Sequence, residues 1–120
     1  MSGEVAVNLQ RALVAAGHRQ GVVWTLEESD DLNANLVRFG PGQGVGEHVN
    51  NEMDVVFVGI SGSGVVEVGG EERALSAGKM VFVPKGAGRS TRGTSEGFAY
   101  LTVHCRRGPL RIGPVGGTDA

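Results

Sequence analysis

From Gly21 onward, short apolar runs alternate with clusters of Gly, Pro, Asn and Ser. The runs are Val22–Leu26, Leu36–Phe39, Val55–Ile60, Val65–Val68, Met80–Val83 and Phe98–Cys105, with a weaker one at Leu110–Ile112. Between them stand Gly40-Pro41-Gly42, Ser61-Gly62-Ser63-Gly64, Gly69-Gly70, Ala77-Gly78, Pro84-Lys85-Gly86 and Ser95-Glu96-Gly97. Glycine reaches φ > 0 without a steric penalty and proline fixes φ, so these clusters turn the chain. Many short strands broken in this way predict an all-β sandwich or barrel. Val65–Leu75 predicts a hairpin: Val66 and Val68 alternate with Val65 and Glu67, Gly69-Gly70 reverses direction, and Glu72, Ala74 and Leu75 return.

Ahead of Gly21 the pattern differs. Residues 8–17 predict a short helix, with Asn8 as cap, Leu9, Leu13 and Ala16 on one face, and Gly17 as stop. Val5, Val7 and Leu9 also alternate as a strand would. The tail Gly113–Ala120 is Gly-rich and polar, which predicts disorder. The expected organisation is an extension with a short helix over 1–20, a β-barrel over 21–112 and a tail over 113–120.

Composition narrows the class. The length suits one domain, and 40% hydrophobic residues are enough for one core and too many for a disordered chain. Glycine supplies 21 of 120 residues but with no three-residue period, which excludes a collagen-like fibre. A net charge of −2 gives no basic field for nucleic acid or an anionic membrane. Cys105 is the one cysteine, so neither an internal disulfide nor a Cys-based zinc site is available. No apolar run approaches the ~18 residues of a membrane span. The first residues lack a signal-peptide pattern, so a cytoplasmic location is expected. The glycines form no G-x-G-x-x-G and no Walker loop, and HExxH and GxSxG are absent.

Two stretches resemble the paired motifs of the cupin superfamily. The first motif is G-x5-H-x-H-x(3,4)-E-x6-G; here Gly42, His48, Asn50 and Asp54 follow that spacing, with Gly62 one residue late. The second is G-x5-P-x-G-x2-H-x3-N; here stand Gly78, Pro84, Gly86, Arg89 and Gly93. The resemblance covers roughly Leu36 to Val103. It implies a double-stranded β-helix, or jelly-roll, barrel and a homodimer. If the segment is extended, His48 and Asn50 share a face, and the resemblance places that face at the barrel mouth.

The family's metal ligands are three His and one Glu, and only His48 is retained. Asn50, Asp54 and Arg89 occupy the other three positions. Asn suits neither zinc nor iron, and a guanidinium stays protonated and cannot ligate. A dication about 5 Å from that charge, at an effective dielectric of ~20, meets on the order of 6 kcal/mol of repulsion. No family-type metal is therefore expected. Two arrangements of the substituted site are open. Arg89 and Asp54 form an ion pair that plugs it, with His48 and Asn50 bonded to the pair. Alternatively, Arg89 is a fork for a carboxylate or other anionic group on a small ligand, oriented by His48 and Asn50.

Other residues carry weaker chemistry. Tyr100, Thr102 and His104 share one face of their strand. His104 is either a pocket residue titrating near neutrality or a hydrogen-bonded structural residue. Cys105, on the opposite face, reads as a buried or interface thiol, and His18 as solvated. Trp24 reads as core. The Arg106, Arg107 and Arg111 patch reads as a solvated surface. The expected function is binding of a small, anionic organic ligand by His48, Asn50, Asp54, Arg89 and His104. The alternatives are a metal-free isomerase, epimerase or cyclase, a degenerate metal-dependent dioxygenase, and a purely structural dimerising scaffold.

Overall fold

The computed structural model describes residues 6–106. Helix α1 spans Leu9–Ala16. Asn8 caps it by accepting a hydrogen bond from the Arg11 N–H, and Gly17 ends it at φ 64°. Leu13 and Ala16 are its buried residues, as the 3.6-residue pattern requires. Arg38 closes the other end. Its guanidinium donates to the carbonyls of Leu13 at 3.2 Å, Arg19 at 2.9 Å and Gly17. Those carbonyls have no partner within the helix.

Nine strands follow among the described residues: β1 Gly21–Thr25, β2 Leu32–Phe39, β3 Gly44–Val49, β4 Val55–Ser61, β5 Ser63–Val68, β6 Glu71–Ser76, β7 Met80–Val83, β8 Gly88–Gly93 and β9 Phe98–Cys105. They form two antiparallel sheets, ordered β1-β2-β9-β4-β7 and β3-β8-β5-β6. β5 and β6 make the expected hairpin, with Gly69 and Gly70 at positive φ between Val68 and Glu71. The two sheets face one another as a jelly-roll sandwich. Val37, Val55, Phe57, Val83, Phe98 and Tyr100 from the larger sheet meet Val66 and Leu75 from the smaller one in one buried cluster. Helix α1 covers the outer face of the larger sheet, where Leu13 meets Leu36 and Ala99, with Trp24 partly buried beside them. Close packing fixes some glycines. A Cβ on Gly64 would run into the Phe98 ring, and one on Gly59 into the Ser76 carbonyl.

Two strands have no counterpart among the apolar runs or in the predicted hairpin. β3 is an edge strand exposed along its whole length, and β8 is polar. The expected strand Leu110–Ile112, the tail, Arg107 and Arg111 lie outside the described residues. Cys105 is exposed at the end of β9 rather than buried. It still pairs with Leu32 of β2, but burial along β9 falls away after Tyr100.

Candidate functional site

A cavity of about 220 Å³ opens between the sheets at the β1 and β3 edges. β8 supplies one wall. Its alternation turns Arg89 and Thr91 inward, while Ser90 Oγ turns out and donates to Glu67 at 3.3 Å. β3 supplies the rim through Val45 and His48. These two are three residues apart and in a regular strand would face opposite ways. Here Val45 pairs with Thr91 and His48 with Arg89, so the extra residue on β3 forms a bulge. The bulge brings both side chains to the cavity and sets His48 directly across from Arg89.

The larger sheet supplies the floor. Phe39, Phe57 and Tyr100 line it, joined by Val22, Val37 and Thr102. Phe57 and Tyr100 stack with ring centroids 5.4 Å apart, and Phe39 tilts against Tyr100 at 6.5 Å. The Arg89 guanidinium carbon lies 5.8 Å from the Phe57 centroid, within cation–π range. Tyr100 Oη and Thr91 Oγ1 share a hydrogen bond of 3.2 Å.

Electrostatics follow from this placement. Burial lowers the Arg89 pKa, and the neighbouring Tyr100 phenol acts in the opposite direction. Burial raises the Tyr100 pKa, against the hydrogen bond with Thr91 and the Arg89 charge. Among the described residues the ion pairs are Arg73–Glu71 and Arg92–Glu72, and neither involves Arg89. Arg89 is thus a half-buried cation at an apolar cavity with no carboxylate at ion-pair distance among the described residues. His48 Nδ1 lies 3.2 Å from the Gly46 carbonyl. A carbonyl only accepts, so Nδ1 carries the proton in that contact and Nε2 is left for other partners.

Of the five expected pocket residues, the structure brings His48 and Arg89 together at the cavity. The other three do not line it. Asn50 lies past the end of β3, where its Oδ1 accepts the Glu52 and Met53 N–H groups at 2.9 and 3.2 Å. The expected shared face with His48 ends there, because the carboxamide closes a turn. Asp54 is exposed, and its Oδ1 accepts the Lys85 N–H at 2.9 Å. It ties the loop after β7 to the start of β4, so the expected Arg89–Asp54 plug does not form. His104 does lie on the Tyr100 face of β9, yet beyond the cavity, with Nδ1 2.6 Å from the Cys105 carbonyl. Sequence reasoning missed Phe39, Phe57, Thr91 and Tyr100 itself. The available signal was the sparse aromatic content: the chain's one Tyr and two of its four Phe line this cavity.

The donor set does not fit a family-type metal. Among the described residues no group of three His, Cys, Asp or Glu side chains converges. The Asn50 oxygen is engaged in its turn, and the one imidazole at the cavity faces a guanidinium that repels a cation.

Two antiparallel sheets packed face to face, with a cavity at one mouth, define the class of small jelly-roll domains. Residues 35–104 match the cupin domain, and the chain belongs to the cupin family. A protein of Thermus thermophilus, TT1209, has the same fold, with a TM-score of 0.71 and 27% identity over 88% of this chain and 100% of that one. A cupin-2 domain protein from Shewanella frigidimarina superposes with a TM-score of 0.67 at 19% identity, covering 84% of this chain and 95% of that one. An uncharacterised protein of Aquifex aeolicus is 39% identical over 56 residues, which are 47% of this chain and 46% of that protein. The chain therefore aligns with about half the length of that relative. Among the described residues no helix is long and apolar enough to cross a membrane.

Proposed function

We propose that this chain is a metal-independent cupin that binds a small organic anion in the cavity between its sheets. The observation that carries this reading is Arg89: a half-buried guanidinium facing the cavity, with no carboxylate at ion-pair distance among the described residues. A buried charge without a partner is costly, and a ligand carboxylate supplies one with charge-assisted, bidentate geometry. His48, its cross-strand neighbour, stands at the rim of the same cavity. The test is calorimetric titration with organic carboxylates in chelator-containing buffer. Saturable binding that is lost in Arg89→Gln supports the reading, and binding that requires added metal contradicts it.

A second reading, a metal-free proton-transfer enzyme of the isomerase or epimerase kind, draws on Tyr100. Burial favours its protonated hydroxyl, against the opposing effects of Thr91 and Arg89, so Tyr100 and Arg89 offer a proton donor and a cation to a developing oxyanion. His48 is then the base. Solvent-deuterium exchange into a bound carbon acid, abolished by His48→Ala, separates turnover from simple binding.

A further inference from the structure

We infer that the cavity selects a monocarboxylate with a flat, apolar ring, an aromatic acid of benzoate or phenylacetate size. This deepens the anion-binding reading and rests on it. Charge comes first. Arg89 is the one full cation among the cavity-lining residues. One carboxylate satisfies it, and a second would be driven against Val37, Phe39 or Phe57 with no partner.

The body of the ligand is set by what lines the rest. Val22, Val37, Phe39, Val45 and Phe57 offer no hydrogen bond. Few polar groups remain for a ligand body: beside Arg89 and His48 at the rim, the floor adds the Thr102 hydroxyl. Thr91 and Tyr100 bond each other at 3.2 Å, and Ser90 Oγ is turned away onto Glu67. A polyhydroxylated acid would bury several hydroxyls against this surface unpaired, whereas an apolar body loses nothing there. Size and shape favour a ring. A dry apolar cavity of about 150 Å³ holds benzene, and this one measures about 220 Å³. The difference leaves room for a carboxylate and a short linker. The rings of Phe39, Phe57 and Tyr100 present aromatic surface to a planar guest. Because the Arg89 guanidinium lies over Phe57, a carboxylate held by it directs its ring along the aromatic floor.

The experiment is a calorimetric titration of the full chain, in chelator, with benzoate, phenylacetate, benzamide, acetate and gluconate. The expected result is binding of benzoate or phenylacetate with a Kd of about 1 mM or tighter. Benzamide, acetate and gluconate should each bind at least about tenfold more weakly, and Arg89→Gln should lower aromatic-acid affinity to the benzamide level. Arg89→Lys, which keeps the charge and loses the fork, should fall between. The unfolding midpoint of each variant guards against misfolding. Gluconate or acetate binding as well as benzoate, in an Arg89-dependent manner, overturns the ring-acid inference and leaves the anion site standing. Equal binding of benzamide and benzoate overturns both, as does no binding of any carboxylate.

Discussion

Arg89→Met should make the ligand-free protein more stable while destroying its binding site. In the wild type, Arg89 is a half-buried charge with no carboxylate partner among the described residues. Replacing buried ion pairs or triads by apolar side chains of similar volume is often neutral or stabilises proteins by roughly 1–4 kcal/mol. Arg89 keeps part of its hydration at the cavity mouth, so the gain belongs at the lower end, about 1–1.5 kcal/mol. Against it stands the loss of the contact with Phe57, about 0.5 kcal/mol for a partly exposed cation–π pair. Methionine keeps the apolar stem and tolerates an irregular wall. The net expectation is a stabilisation of about 0.5–1 kcal/mol, or about 2–8 °C in Tm for a domain of this size. Urea and thermal unfolding of the ligand-free proteins measure it. A destabilisation of about 1 kcal/mol or more, with the sheet structure intact, would refute the reasoning, because it would mean that Arg89 holds the fold together.

Three further outcomes are expected. Arg38→Ala removes donors to the carbonyls that end α1; it should lower stability by about 1–2 kcal/mol and speed amide exchange across Leu9–Ala16, and unchanged exchange there would contradict the assigned role. Gly64→Ala forces a methyl into the Phe98 ring and should cost about 1–3 kcal/mol as overpacking, read as a lower urea midpoint; a neutral result would show that the two sheets can part locally. Tyr100 has a raised pKa in the folded state, chiefly through burial. Its contribution is therefore fully present below the unfolded value of about 10 and is lost as pH rises through the higher folded value. Stability should fall on the alkaline side of pH ~10, and Tyr100→Phe should flatten that limb; an identical limb in the variant would show that another group governs it.

The parts of the fold legible in the sequence are those whose apolar pattern is dictated by burial. Met80–Val83 and Phe98–Cys105 stand where expected, and so does the helix between Asn8 and Gly17. The strands that neither an apolar run nor the hairpin pattern marks are β3 and β8, and the reason lies in what their side chains face. β8 reads Gly-Arg-Ser-Thr-Arg-Gly, because its inward positions face a cavity and a hydroxyl pair instead of packed hydrocarbon. β3 lies at an edge and buries none of its residues. The Gly and Pro spacing singles out Arg89 and His48 even though neither strand is visible as a strand. The bulge between Val45 and His48 leaves no trace, since nothing in the composition marks where one strand gains a residue on its partner. The turn that captures Asn50 and the loop that captures Asp54 are local hydrogen-bond choices that motif spacing cannot express. Alternation groups Tyr100 with His104 on one face of β9, but the imidazole draws attention to His104, while the cavity is built of aromatic surface and takes Tyr100.

The most direct test of the account is a nitrogen–proton NMR titration of the labelled full chain with benzoate in chelator. The account predicts saturable shifts concentrated at Arg89, His48, Thr91 and Tyr100, with the Asn50, Asp54 and His104 amides little changed. Shifts centred on Asn50 and Asp54, or binding that appears only when a divalent metal is restored, would contradict it.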